Sequence, residues 1–298
     1  MLSYQHEYHA GNHADILKHI CLCSILGSLS KKEKPFTLID THSGAGRFFL
    51  DDERLLKTGE ALDGIKKFVQ EVSTIKNIPQ SIRDYLEIEN PYLEKGLYAG
   101  SPEIERQFLR KGDICHLSEM HPEALKSLEE NVAKNLITNG GEKKCGGKCV
   151  VHAEDSYKSL GGLVPPLVKR GLILCDPSYE DRSDYRQVTD SLKNAHKKWN
   201  TAIIALWYPI LPRKKNETSQ MLCELEDFAK LGQNPCETKK FELEIYGMDE
   251  IPKEMLEDSA PHMTGSGMFI INPPWQLEEK MTEALTILKS IFHKKNLS

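Results

Sequence analysis

The chain holds eight cysteines but no Cys-x-x-Cys pair. Scattered thiols of this kind argue against a disulfide framework and for a reducing compartment, so a cytoplasmic protein is expected. Cys145-Gly-Gly-Lys-Cys149 comes nearest to a metal knuckle. No second ligand pair stands near it, and it reads as a glycine-rich loop; no metal is expected. No apolar run approaches the ~20 residues that a membrane helix needs. Met1 to His6 lacks the charged segment and apolar core of a secretory signal, and neither a signal nor a membrane partner is expected. Positive charge is not in excess either: the net charge is −5 and the pI about 6.1. That excludes a protein that coats nucleic acid through a broad basic face, yet leaves room for a local basic patch. No internal repeat is visible.

What is present is an ordinary core. The 298 residues are 39% hydrophobic and 28% charged, as in a globular α/β protein. Ile16, Leu17, Ile20, Leu22, Ile25, Leu26 and Leu29 recur at helical spacing over 15–29. Phe36 to Ile39 is a short buried strand ending at Asp40. Ser101-Pro102-Glu103 carries helix-start signals, with serine as N-cap and proline next. The residues between, 48–98, read as a helical subdomain inserted between the first strand and its helix, within one domain spanning 1–298. Strands follow at 113–119, 149–152, 171–175 and 201–207, with helices predicted over 121–137 and 183–200. Late strands at 241–246 and 267–271, with only a loop between them, fit a closing hairpin. The alternation predicts an α/β fold, a mostly parallel sheet with one antiparallel strand.

Two loops carry chemistry. The first is Asp40-Thr41-His42-Ser43-Gly44-Ala45-Gly46. Gly44 and Gly46 allow a tight turn and close approach of a ligand to bare backbone. The third glycine of a dinucleotide fingerprint and the Lys-Ser/Thr of a phosphate loop are both missing, which disfavours NAD and ATP. S-adenosylmethionine, which has no pyrophosphate, needs no such cradle. Glu119 and Asp155, at the ends of the second and third strands, supply acceptors for ribose hydroxyls and an adenine amine. The alternative is that both acids cap the helices that follow.

The second loop is Asp176-Pro177-Ser178-Tyr179. An exocyclic amine has its lone pair delocalised into the ring, so an enzyme must draw the nitrogen toward tetrahedral geometry and align it. The Asp176 carboxylate and the Pro177 carbonyl can each accept one N–H, and Tyr179 can stack on a base turned out of its helix. An ordinary Asp-Pro turn is the bland alternative. Asn272-Pro273-Pro274-Trp275 matches the same loose pattern, but it follows the last strand and is expected on the wrong side of the sheet. Basic clusters lie at Lys31-Lys32-Lys34, Lys197-Lys198, Arg213-Lys214-Lys215 and Lys294-Lys295. Arg213 and Lys214, near the same sheet edge as the second loop, are the expected phosphate contacts.

The whole chain resembles the bacterial 23S ribosomal RNA adenine-N6 methyltransferases of the RlmJ type. The resemblance is carried by Met1-Leu2-Ser3-Tyr4-Gln5-His6, His9-Ala10-Gly11-Asn12-His13-Ala14-Asp15 and Leu17-Lys18-His19. Asp40 to Arg47, Gly100-Ser101-Pro102, Ala205 to Pro209 and Gly265 to Met268 continue it. It implies a Rossmann-like class I S-adenosylmethionine-dependent methyltransferase fold, acting as a monomer on one adenine of 23S RNA. Cofactor contacts are implied at His19, His42, Ser101, Glu119, Asp155 and Ser156, and the catalytic acceptor at Asp176. Tyr4 is implied to meet the RNA, and the polar residues around it, His6 and Lys18, are read with it. The family's loop is Asp-Pro-Pro-Tyr; here Ser178 replaces the second proline, which predicts a less rigid loop. The residues 139–148 look like a local insertion. A DNA adenine methyltransferase, and a catalytically weak RNA-binding relative, remain as alternatives.

Overall fold

In the computed structural model, which describes residues 9–53, 60–232, 234–246, 251 and 263–293, the apolar runs pair into one seven-stranded sheet. The main strands are β1 (Thr37–Asp40), β4 (Ile114–Ser118), β7 (Lys148–His152), β8 (Gly171–Cys175), β9 (Ile203–Ile210), β10 (Thr238–Glu244) and β11 (Gly265–Ile271). Their order is β10-β11-β9-β8-β1-β4-β7. Only β11 runs antiparallel to its neighbours, through the expected β10–β11 hairpin. Two short antiparallel ribbons stand outside the sheet: β2 (Arg47–Phe49) with β3 (Leu97–Ala99), and β5 (Leu136–Thr138) with β6 (Gly141–Lys143).

The period-two alternation of the strands sorts the core onto two faces. Leu38, Cys115, Leu117, Leu172 and Leu174 point to one face. There they pack with α1 (His13–Ser30) and the helices Gln80–Leu93, Ser101–Phe108 and Leu277–Phe292. Ile39, Ile173, Cys175, Ile204 and Leu206 point to the other, under the helices Ser156–Leu163, Arg182–Lys198 and Lys215–Leu231. The inserted residues do not build a core of their own: Phe68, Ile82, Tyr85 and Tyr92 join the cluster that holds Leu38. They enter and leave through the β2–β3 ribbon. Arg47 and Arg106 both pair with the buried Glu103, which also accepts a hydrogen bond from Tyr92 Oη at 2.6 Å. Gly64 must be glycine, because a Cβ there would stand 2.1 Å from Gly11 O.

α1 is buried on nearly every side, and Asn12 caps its first amides, accepting from Ala14 N and Asp15 N. Two expectations are corrected. The helix read over 121–137 ends at Ala133, and the residues after it form the β5–β6 ribbon. Ser101 is not the N-cap of its helix; Gly100 is, and the serine hydroxyl is used elsewhere. The helices Ser156–Leu163, Lys215–Leu231 and Leu277–Phe292 had no prediction. Among the described residues no helix is long and apolar enough to cross a membrane, and no group of three or more His, Cys, Asp or Glu side chains stands placed to hold a metal ion.

Candidate active site at the carboxyl edge of the sheet

β1 lies between β4 and β8, so the chain order reverses at β1. In parallel sheets that crevice, outside the carboxyl ends of the strands, is where ligands bind. A cavity of about 440 Å³ opens there, the size of a small-molecule site. It brings together Lys18, His19, His42, Gly44, Ser101, Glu119, Asp155, Ser156, Asp176 and Pro177, from six separate stretches of chain.

The first loop is held from both sides. Gly44 sits at φ +60°, and its N–H donates to Glu119 Oε2 at 2.8 Å. Glu119 Oε1 accepts from Met120 N at 2.8 Å and His121 N at 2.7 Å. One carboxylate therefore ties the loop after β1 to the loop after β4. His42 lines the cavity edge-on to Tyr157. The Thr41 hydroxyl donates to Leu174 O, so the hydrogen between Thr41 Oγ1 and His42 Nδ1, 2.8 Å apart, belongs to the ring. His42 Nε2 is then the acceptor for the Ser156 hydroxyl at 3.2 Å. Both contacts suit a neutral ring, and burial pushes the His42 pKa down to about 4. His19 is buried with Nδ1 2.8 Å from Tyr98 Oη. Asp155 caps the next helix, accepting from Tyr157 N at 3.0 Å, and also faces the cavity.

Asp40 had no role beyond ending a strand. It is fully buried and joins two expected cofactor residues, accepting from Ser101 Oγ at 2.7 Å and His42 N at 3.1 Å. Burial pushes its pKa up to about 6, against the pull of those two bonds. An acid closing an apolar strand just before a glycine loop was the legible signal.

Several expected residues are placed differently. Gly46 does not line the cavity; at φ +80° it accepts from Gly100 N at 2.8 Å and closes the turn into β2. Lys18, expected at the substrate RNA, lines the cavity and not the outer surface. It is buried in α1, pairing with Asp15 at 2.8 Å and with Asp176 Oδ2. Burial alone would lower its pKa, but the two carboxylates outweigh that and hold it raised. Tyr179 does not offer its ring to the cavity. It is 2% exposed at φ +52°, its hydroxyl donates to Trp207 O at 2.9 Å, and its ring packs 4.8 Å from that of Tyr185. The apolar slot between helices Arg182–Lys198 and Lys215–Leu231 takes the ring because burying it outweighs the strained backbone. Lys214 spends its ammonium on backbone carbonyls of the second loop, whereas its neighbour Arg213 is exposed. Tyr4 and His6 lie outside the described residues. Asn272 is a structural strand end, as expected: its side-chain amide donates to Asn200 O and Ala202 O, at 2.9 and 2.8 Å, below the start of β9.

The charge of the lining discriminates among ligands. Among the described residues, seven carboxylates face the cavity (Glu119, Glu154, Asp155, Asp176, Glu180, Asp181 and Asp184), with one lysine and no arginine. A polyphosphate would meet repulsion from these carboxylates, and the one lysine among them is already paired with Asp15 and Asp176. A cationic ligand with ribose hydroxyls and an amine to donate fits that set of acceptors.

Comparison with known proteins agrees over nearly the full length. The family described as Ribosomal RNA large subunit methyltransferase D, RlmJ, matches residues 33–296. Ribosomal RNA large subunit methyltransferase J of Escherichia coli K12 is 36% identical over 294 residues, covering 97% of this chain and 94% of that protein. The protein of the same name from Haemophilus influenzae is 34% identical over 288 residues, covering 97% and 93%. Among solved structures, protein LPL1258 of Legionella pneumophila superposes with a TM-score of 0.77 at 29% identity, covering 96% of this chain and 94% of that one. By that family match over most of the chain and by these identities, the chain belongs to the RlmJ family of ribosomal RNA large subunit methyltransferases.

Proposed function

We propose that the protein transfers a methyl group from S-adenosylmethionine to the N6 amine of one adenine in 23S ribosomal RNA, acting as a monomer in the cytoplasm. The observation that carries this reading is Asp176 at the carboxyl end of β8, facing an acid-lined cavity beside the glycine loop. When bound, S-adenosylmethionine supplies an electrophilic methyl group on a sulfonium centre. Glu119 and Asp155 would accept from its ribose and adenine, and the bare backbone around Gly44 would admit its amino-acid end, with His19, His42, Ser101 and Ser156 completing the enclosure.

The chain's own residues do the positioning. Lys18 holds Asp176 through Oδ2, which leaves Oδ1 to accept one N–H of the adenine amine. The Pro177 carbonyl accepts the other. Together they fix the nitrogen lone pair along one line of attack. The amine proton need leave only after the methyl has arrived, so Asp176 serves as an acceptor more than as a strong base. Tyr179 acts by anchoring the loop. Tyr4, His6 and Arg213 are the proposed RNA contacts.

The test is transfer of label from S-adenosylmethionine to protein-free 23S RNA, with nucleoside analysis of the product. N6-methyladenosine, absent with Asp176→Ala, is the expected result. Label on another nucleoside, or undiminished label with Asp176→Ala, overturns the assignment.

A further inference from the structure

Resting on that reading, we infer that Lys214 is a positioning residue for methyl transfer: its ammonium ties down the two carbonyls that close the Asp176–Tyr179 loop. Lys214 Nζ donates to Tyr179 O at 3.0 Å and to Glu180 O at 3.1 Å. The loop needs such a clamp for two reasons. Tyr179 stands at φ +52°, a region that a residue with a bulky side chain adopts only when its surroundings fix it. And Ser178 lacks the ring that would lock its own backbone torsion. A loop free to relax at Tyr179 would swing Asp176 and Pro177, three and two residues upstream, out of line with the amine.

The clamp is itself rigid. Lys214 ends a short 3₁₀ turn, Pro212–Lys214, directly after β9, and its N–H donates to Leu211 O at 3.0 Å. Its ammonium lies 5.8 Å from the centroid of the Tyr185 ring, the same ring that packs against Tyr179. Tyr179 is therefore held at three points: hydroxyl to β9, ring against Tyr185, and carbonyl to Lys214. Two of the three run back to the end of β9, so the loop after β8 is referenced to the neighbouring strand. An ammonium suits this task because its three N–H donors radiate from one point and can serve two adjacent carbonyls.

Lys214 is half-buried, so truncation to methionine opens no core cavity. The experiment compares wild type, Lys214→Met and Lys214→Arg by steady-state methylation of 23S RNA. The backbone amides of 178–181 are followed alongside by hydrogen exchange in the RNA-free protein. Expected for Lys214→Met is a kcat about 10- to 100-fold lower. KM for S-adenosylmethionine should stay within about threefold, exchange of the loop amides should be at least about tenfold faster, and arginine should restore part of kcat. A raised KM for RNA with unchanged kcat and a shallower salt dependence would make Lys214 a phosphate contact and overturn the inference. So would unchanged exchange. Faster exchange in a protein whose wild type methylates no RNA would leave the clamp standing and overturn the proposed function instead.

Discussion

Asp176-Pro177-Ser178-Tyr179 and Asn272-Pro273-Pro274-Trp275 are near-matches in sequence that the fold uses for opposite purposes. Each follows a fully buried strand, β8 or β11. Each contains a residue with left-handed backbone, Tyr179 at φ +52° and Asn272 at φ +55°. The difference is strand direction. β8 is parallel to β1 and delivers Asp176 to the crevice, whereas β11 is antiparallel and delivers Asn272 to the far edge, with Ile271 paired to Ile204 near the start of β9. At the crevice the polar head meets Lys18 and the aromatic ring is buried; at the far edge the polar head caps two carbonyls and Trp275 is 85% exposed. A loop motif has chemical meaning only once the direction of the strand before it is known.

Removing the two polar heads gives the sharpest contrast. Asp176→Ala should lower kcat by about 10³-fold or more while cofactor affinity stays within a few-fold; Asn272→Ala should leave kcat unchanged. Equal losses from both, in the same labelled-methyl assay, would erase the distinction. Lys18→Met comes next, because it withdraws the cation shared by buried Asp15 and partly buried Asp176. Breaking such a group should cost about 3–5 kcal/mol in urea unfolding, besides lowering turnover. Asn272→Ala should cost about 1 kcal/mol in the same measurement, since it removes two hydrogen bonds to carbonyls that water still reaches in part. Trp275→Ala, on an exposed ring, should fall within about 0.5 kcal/mol.

The cavity should also leave a mark on acid stability that the far edge does not. The His42 pKa lies near 4 in the fold against 6.5 in an open chain. The unfolded chain therefore binds the extra proton between those values, and stability present above pH 6.5 is lost as pH falls toward 4. Asp40 works in the opposite sense: raised from 3.8 to about 6, its contribution is intact in acid and lost as pH rises through 6. His42→Gln should flatten the acid-side decline in chemical unfolding curves, whereas Asn272→Ala should shift the whole curve down without changing its slope. An unchanged slope in His42→Gln would remove the histidine from this account.

How far the sequence could be read follows from where the information lies. Strand positions were legible because β8, with the burial of all five residues from Gly171 to Cys175, writes itself as a continuous apolar run. The end of the helix at Ala133 was not, since Leu136 and Ile137 continue the helical spacing and only their pairing with the β6 strand makes them extended. The helix Lys215–Leu231 did carry its signal, in Thr218, Met221, Leu222, Leu225 and Ala229 at helical spacing on the buried side. The helix Ser156–Leu163 hid its own behind Gly161 and Gly162, which weaken helix propensity.

The candidate site divides the same way. Residue types and their order along the chain fixed the glycine loop, the acids closing β4 and β7, the Asp-Pro pair after β8 and the family, because these depend on local spacing after recognisable strands. Only the tertiary structure decided that Lys18 faces inward to Asp176, that Tyr179 turns away from the cavity, and that Lys214 clamps the loop. Each of those outcomes is set by what stands opposite the side chain, 158 residues away for the Lys18–Asp176 pair, and by the cost of leaving a charge or an aromatic face without a partner. That cost is a property of the packed interior, and no stretch of sequence contains it.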